Sequence, residues 1–252
     1  MSRIVCWFSC GAASAVATKL ALKKYGQAEI VYCDTSSEHP DNARFIEDCQ
    51  RWFGQKIVIL KSEKYHDTWD VFRKTRYLVG VGGARCTTEL KKVLRNSFQR
   101  VDDTQVFGFD SGEKKRFDRF KHNNPEVNLE APLLDNGISK ADCFKIISDA
   151  GIEIPIMYRL GYKNNNCIGC VKGQSGYWNK IRKDFPDVFN KMAKIERELN
   201  VAINKSYAGD GKRKRIFLDE LPPDAGRYNS EPSLGCGVLC DLNSDEARGD
   251  ET

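Results

Sequence analysis

Cys167 and Cys170 lie in the run Asn164-Asn165-Asn166-Cys167-Ile168-Gly169-Cys170, and their spacing lets two thiolates reach one metal centre. Cys236 and Cys240, in Gly235-Cys236-Gly237-Val238-Leu239-Cys240, have one more intervening residue, which is also permitted. Cys86, in Ala84-Arg85-Cys86-Thr87, is a further thiol in turn-like surroundings. A zinc site would use the two pairs. An iron–sulfur cluster would use Cys86, Cys167, Cys170 and either Cys236 or Cys240. A thioredoxin-like dithiol fits less well, because the Cys167–Cys170 pair does not open a helix after a strand. Cys6, Cys33, Cys49 and Cys143 fall inside strand or helix patterns and read as small buried apolar residues.

A second chemistry is written near the start. Ile4-Val5-Cys6-Trp7-Phe8 reads as a buried strand, Ser9-Cys10-Gly11-Ala12-Ala13-Ser14 as a turn of small residues, and the segment through Tyr25 as a helix. Small residues between a strand and a helix N-terminus let an anion approach outward-facing amides, where the helix dipole favours negative charge. Ser9 and Ser14 add hydroxyls. Cys10 lies where a helix N-terminus lowers a thiol pKa, but its small size suits a steric role. Arg85, Lys91, Lys92, Arg116 and Arg119 are candidate anion-binding cations. Asp34 and Glu38 suit a ribose, a magnesium ion or the cap of the next helix.

These residues need a frame. Strands are expected at Ala28–Cys33, Lys56–Leu60 and Thr104–Gly108, with a short one near Val127–Leu129. Helices are expected at Asp41–Phe53, Trp69–Arg76, Thr87–Phe98, Ser139–Ala150 and Pro186–Leu199, the fourth opened by a capping-box spacing of Ser139 and Asp142. Val79–Gly83 reads as flexible. Alternating strands and helices predict an α/β fold, a doubly wound parallel sheet of about five strands with helices on both faces. Ligands of such sheets sit beyond the strands' carboxyl ends, where the Ser9–Ser14 and Asp34–Pro40 loops would lie. The composition changes after Gly151, so the expected division is an α/β domain over residues 1–160, a cysteine-containing, mostly helical and irregular extension over 161–240, and a disordered acidic tail over 241–252.

The net charge of +5 is too small to demand a nucleic-acid partner. Even so, Tyr177 and Trp178 among Lys172, Lys180, Arg182 and Lys183, together with the block Lys212–Arg215, are a candidate surface for single-stranded RNA. No apolar run is long enough to span a bilayer, and the N-terminal residues lack signal-peptide order. A cytoplasmic location with reduced thiols is the expectation.

The order of motifs resembles the phosphoadenosine phosphosulfate (PAPS) reductase family, within the PP-loop superfamily of adenine-nucleotide α-hydrolases. Ser9–Ser14 is similar to a Ser-Gly-Gly-x-Asp-Ser loop, and Asp34-Thr35-Ser36-Ser37-Glu38-His39-Pro40-Asp41 to an Asp-Thr-Gly-x-Glu-x-Pro-Glu segment. Arg85–Lys91 resembles the family's cysteine-bearing segment before a helix. Gly108 with Glu113, Arg116 and Arg119 resembles its Gly-x-x-x-x-Glu-x-x-Arg-x-x-Arg block, and Ala131–Leu133 and Tyr158–Gly161 through Cys170 continue the series. The resemblance implies an adenine-nucleotide substrate such as an adenylylated sulfate. It would be bound by Ser9, Cys10, Gly11, Ala12, Ala13, Ser14, Asp34, Thr35, Glu38, Arg85, Gly108, Glu113, Arg116 and Arg119. It also implies a [4Fe-4S] cluster on Cys86, Cys167, Cys170 and Cys236, with zinc as the alternative. Cys236 or Cys240 would be the nucleophile and a thioredoxin-like protein the electron donor. Cys10 replaces the first loop glycine and Ala13 the loop acid, which favours nucleotide binding over ATP cleavage. The Glu-Cys-Gly-x-His nucleophile motif of the reductases is matched here only by Cys236-Gly237. An ATP-dependent sulfurtransferase or RNA-modifying enzyme, and a non-catalytic nucleotide-binding module, are the alternative readings.

Overall fold

The computed structural model describes residues 2–80, 83–207 and 213–235. Cys236, Cys240, Lys212 and the acidic tail lie outside the described residues.

The chain begins with β1 (Ile4–Trp7), α1 (Ala12–Tyr25), β2 (Glu29–Cys33), α2 (Asn42–Phe53), β3 (Val58–Leu60) and α3 (Thr68–Thr75). A two-strand ribbon of β4 (Val79–Gly80) and β5 (Gly83–Ala84) follows, pairing antiparallel. The stretch expected to be flexible thus carries paired backbone on both flanks, because Arg85 N also donates to Leu78 O at 3.2 Å. Next come α4 (Arg85–Thr87), a π-helical stretch (Thr88–Lys92) and α5 (Val93–Phe98), where a single helix was expected. The rest of the α/β unit is β6 (Thr104–Val106), α6 (Lys114–Asn123), β7 (Asn128–Glu130), α7 (Pro132–Asp135) and α8 (Lys140–Asp149). Ser139 caps α8, its hydroxyl accepting from Asp142 N at 3.2 Å, as the capping-box spacing predicts.

Five strands form one parallel sheet in the order β3-β2-β1-β6-β7. The expected fold class is the observed one. β1 and β2 alternate two buried faces. Cys6, Ile30 and Tyr32 join the core under α1, α2 and α8, while Val5, Trp7, Val31 and Cys33 join Phe107, Phe109 and Phe120 on the other side. Burial on both faces is why these strands read as nearly continuous apolar runs. β3 differs: it forms one edge of the sheet, and Val58 and Ile59 are 37% and 49% exposed.

The strand order reverses beside β1, with β2 on one side and β6 on the other. The turns leaving β1 and β6 therefore meet at the switch point, where open α/β sheets bind ligands.

A further core lies downstream. α9 (Ile156–Arg159), α10 (Ser175–Asp184), α11 (Pro186–Leu199) and an antiparallel hairpin of β8 (Asn204–Tyr207) and β9 (Arg213–Ile216) follow the sheet. Their apolar residues, including Met157, Trp178, Phe189, Met192 and Leu218, pack with Trp69, Phe72, Leu78 and Leu90 from the earlier chain. No helix among the described residues is long and apolar enough to cross a membrane.

Candidate nucleotide site and cysteine knuckle

The turn after β1 is built around Ser14. Its hydroxyl accepts the amides of Ser9 (3.0 Å) and Gly11 (3.3 Å) and donates to Gly11 O (2.9 Å). The Ser14 hydroxyl is thus used within the turn, and Ser9, exposed at its mouth, donates its own hydroxyl to Ser14 Oγ at 3.1 Å. Ala12 N donates to the Tyr158 hydroxyl at 3.4 Å, and the next first-turn amides have no intrahelical acceptor. Gly108, leaving β6, presses onto this helix start. A Cβ added there would lie 2.6 Å from Ser14 N and 2.8 Å from Ala13 C. The glycine therefore lets one backbone cross another at the head of α1.

Cys10 adopts a left-handed conformation, φ 58°, with its side chain fully buried. Its thiol lies 3.7 Å from Asn42 O. Burial pushes the thiol pKa well above its ordinary value. The helix N-terminus was expected to lower it; desolvation raises it instead, with Cys49, Glu38 and Asp41 adding to the rise and Lys91 opposing it. Full burial of its side chain is what a steric role for Cys10 would require.

The loop after β2 turns its polar groups inward. Asp34 accepts Ser36 N at 2.8 Å and pairs with Lys61 at 2.8 Å. The Thr35 hydroxyl meets Glu38 Oε2 at 2.5 Å, and Glu38 Oε1 lies 3.4 Å from Lys91 Nζ, with both members of this ion pair buried. Arg85, exposed at the start of α4, pairs with Glu89 at 2.8 Å. In the loop after β6, Asp110 accepts Gly112 N at 2.9 Å, and burial raises its pKa, with Glu113 adding to the effect. Arg116 pairs with Glu113 at 2.5 Å and stacks over Phe109, while Arg119 is exposed on the same helix.

Cys167 and Cys170 are buried in a knuckle held from below by Tyr177, whose hydroxyl accepts Gly169 N (3.1 Å) and Cys170 N (2.9 Å). Cys86, half-buried, packs against the core that contains Cys170. Tyr177 and Trp178, expected as stacking platforms for RNA bases, are 3% and 0% exposed and belong to that core. The neighbouring cations are also engaged: Lys180 pairs with Asp184, and Arg182 donates to the carbonyls of Leu218 and Leu221.

The knuckle touches both rim loops. Ile168 N donates to Ser37 O at 2.9 Å, and the Cys167 thiol lies 3.1 Å from Thr35 Oγ1 and 3.7 Å from Glu38 Oε1. On the other side, Asn165 Nδ2 donates to Cys10 O at 2.6 Å and to Asn42 Oδ1 at 2.8 Å. The segment before Cys236 lies across the knuckle as well. Asn164 and Asn166 donate to Leu234 O, and Lys172 donates to Gly235 O at 3.0 Å. Lys140 Nζ donates to Asn164 Oδ1 at 2.7 Å, and burial lowers its pKa. Among the described residues, no three His, Cys, Asp or Glu side chains converge as a metal-holding group. Cys86, Cys167 and Cys170 do not make a cluster site by themselves in this arrangement.

Sequence reasoning singled out the loops, the cations and the thiols. It assigned no role to the Tyr158 and Tyr177 hydroxyls, Asn42, Asn165 or Lys140. Each acts across more than twenty residues of chain or by closing a local turn, and no short spacing marks such contacts. The one available signal was the triple asparagine before Cys167, a run poor in both helix and strand formers.

A parallel α/β sheet with a small-residue turn, a glycine crossing and a cysteine knuckle at its switch point defines a nucleotide-binding class of fold. The family model for the phosphoadenosine phosphosulfate reductase domain matches residues 3–175, and the chain belongs to that family. It is also similar to two proteins of Methanocaldococcus jannaschii. It is 25% identical over 82% of its length to "Uncharacterized protein MJ0066", covering 44% of that protein. It is 23% identical over 86% of its length to "Uncharacterized protein MJ0973", covering 52%. The chain therefore spans about half the length of the curated relatives it matches.

Proposed function

We propose that the protein binds an adenylylated sulfate at the sheet's switch point and reduces its sulfur with its own thiols. The observation that carries this reading is the meeting of the Ser9–Ser14 turn with the Cys167–Cys170 knuckle, linked from Asn165 to Cys10 O at 2.6 Å. One rim then offers an anion-binding helix start beside sulfur chemistry. Membership of the phosphoadenosine phosphosulfate reductase domain family supports a nucleotide-binding, sulfur-related role. Phosphate groups would lie on the turn, and Arg116 and Arg119 would screen the sulfate.

In the proposed reaction the thiolate of Cys236, next in sequence to Gly235, attacks the sulfur of the substrate. A carbon-bound sulfur–sulfur bond forms, the bond from sulfur to the bridging phosphate oxygen breaks, and its electron pair leaves with the nucleotide. Cys240, or a dithiol donor such as thioredoxin, then attacks the Cys236 sulfur. Sulfite departs with the electron pair of the sulfur–sulfur bond, and a disulfide remains. A dithiol returns two electrons to complete the cycle. No step runs through a metal. Metal and labile-sulfide content after anaerobic purification tests separately a [4Fe-4S] or zinc reading on Cys86, Cys167, Cys170 and Cys236, in which Cys236 would be a ligand and Cys240 the attacking thiolate.

The reading is tested by sulfite release from adenosine 5′-phosphosulfate and its 3′-phosphorylated form, with dithiothreitol as reductant. Turnover is expected for the wild type, and at least about a hundredfold less for Cys236→Ser. Undiminished turnover by a Cys236→Ser, Cys240→Ser double variant overturns the thiol mechanism. Pyrophosphate release from ATP without sulfite release would replace the reductase with an ATP-dependent sulfurtransferase.

A further inference from the structure

We infer that Asn165 is a positioning residue that couples nucleotide occupancy of the Ser9–Ser14 turn to the order of the cysteine knuckle. The inference rests on the adenine-nucleotide reading above and adds to it a link between two parts of the site.

Asn165 stands two residues before Cys167 and is 6% exposed. Its side-chain amide reaches Cys10 O in the turn and Asn42 Oδ1 at the head of α2. Cys10 lies in the same turn as Ala12, whose amide donates to the Tyr158 hydroxyl at 3.4 Å. One residue of the knuckle thus contacts the turn directly, at Cys10 O. Asn165 Oδ1 and Asn42 Nδ2 are buried without a hydrogen-bond partner. A buried amide kept half-satisfied costs stability. An apolar residue would avoid that cost, so the bonds made by the other half of the amide are what the position supplies.

Cys10 is the natural receiver of this contact. It is held in a left-handed conformation, and its carbonyl direction is fixed by the same backbone angles that shape the turn. A ligand that orders the turn therefore orders the acceptor of Asn165. The opposite side of the knuckle is already tied to the second loop through Ile168 N and Ser37 O. Release of the Asn165 contact removes the direct side-chain link from the knuckle to the turn, while the knuckle keeps its ties to the second loop, to Tyr177 and to Leu234. Coupling of this kind is reciprocal, so an ordered knuckle must also favour the nucleotide.

The experiment is amide hydrogen exchange with mass spectrometry, with and without saturating adenosine 5′-phosphosulfate or ATP, on the full chain. In the wild type, nucleotide should slow exchange by about tenfold or more in peptides covering both 9–14 and 164–170. In Asn165→Ala, at nucleotide raised to saturation, the slowing should persist at 9–14 and fall to within about twofold at 164–170. Asn165→Asp, which keeps the side chain's size but replaces the donating amide nitrogen with an acceptor, should give a comparable loss, and it serves as the test should Asn165→Ala not fold. Persistent knuckle slowing in the folded variants overturns the inference and leaves the nucleotide reading intact. A wild type in which only the turn slows does the same. A wild type that binds neither nucleotide overturns both.

Discussion

At the level of single residues, the site depends on Gly108 and Ser14 more than on any charge. A Cβ at Gly108 would meet Ser14 N, Ser14 Cα and Ala13 C at 2.6, 2.7 and 2.8 Å, all backbone atoms that cannot swing aside. Gly108→Ala is therefore expected to destabilise the fold by about 2–3 kcal/mol and to weaken nucleotide binding at least about tenfold, read by urea unfolding and titration calorimetry. An unchanged unfolding midpoint would show that the crossing is looser than these distances. The residue chemistry was partly legible in the sequence. The small residues of Ser9–Ser14 announced a close approach to the backbone, whereas Gly108 read only as the end of a strand and part of a family-like block. The fate of Cys10 was not legible. Helix position and burial pull a thiol in opposite directions, and only the packed structure says that burial wins.

Among the elements, the hairpin of β8 and β9 depends on a carboxyl group in α11. Glu196 is fully buried and accepts Ile203 N at 2.7 Å, just before β8, and Leu218 N at 2.6 Å, just after β9. Burial raises its pKa from an ordinary 4.5 to about 7, with nearby Asp219 adding to the rise, against the opposing pull of the two amides and Arg197. Between about 4.5 and about 7 the folded chain holds a proton that the unfolded chain has released. Stability should therefore fall as pH rises through that window and level off above it. Glu196→Gln should remove this component, on the order of 1–2 kcal/mol after solvent screening, when urea midpoints at pH 5 and pH 8 are compared. An identical pH dependence in variant and wild type would place the titration elsewhere. Periodicity located α11 and its apolar face correctly from Val188, Phe189, Met192, Ile195 and Leu199. It could not find the hairpin clasp, because a buried glutamate looks like any solvated one until its partners are known. The Thr88–Lys92 π-helical stretch escaped for a related reason: an unbroken helical pattern does not record an extra residue in one turn.

For the whole molecule, the parallel sheet was implied by the alternation of strands and helices, whereas the strand order β3-β2-β1-β6-β7 was not. The packing of residues 65–90 with the chain after 156 was not implied, since contacts over such separations leave no local pattern. The sheet also closes unevenly. β7 at one edge has a polar sequence, Asn-Leu-Glu, whereas β3 at the other carries exposed Val58 and Ile59 between Lys56 and Lys61. A bare apolar edge is a template for adding strands, and flanking lysines are the charges that discourage it. The β3 edge is therefore where strand-to-strand self-association is expected to begin. As salt screens Lys56 and Lys61, molecules should associate edge to edge at temperatures below global unfolding. Ile59→Lys should raise the protein concentration at which light scattering begins in high salt, with the melting temperature moved by no more than about 2 °C. Scattering unaffected by this charge would assign the precipitation to another surface.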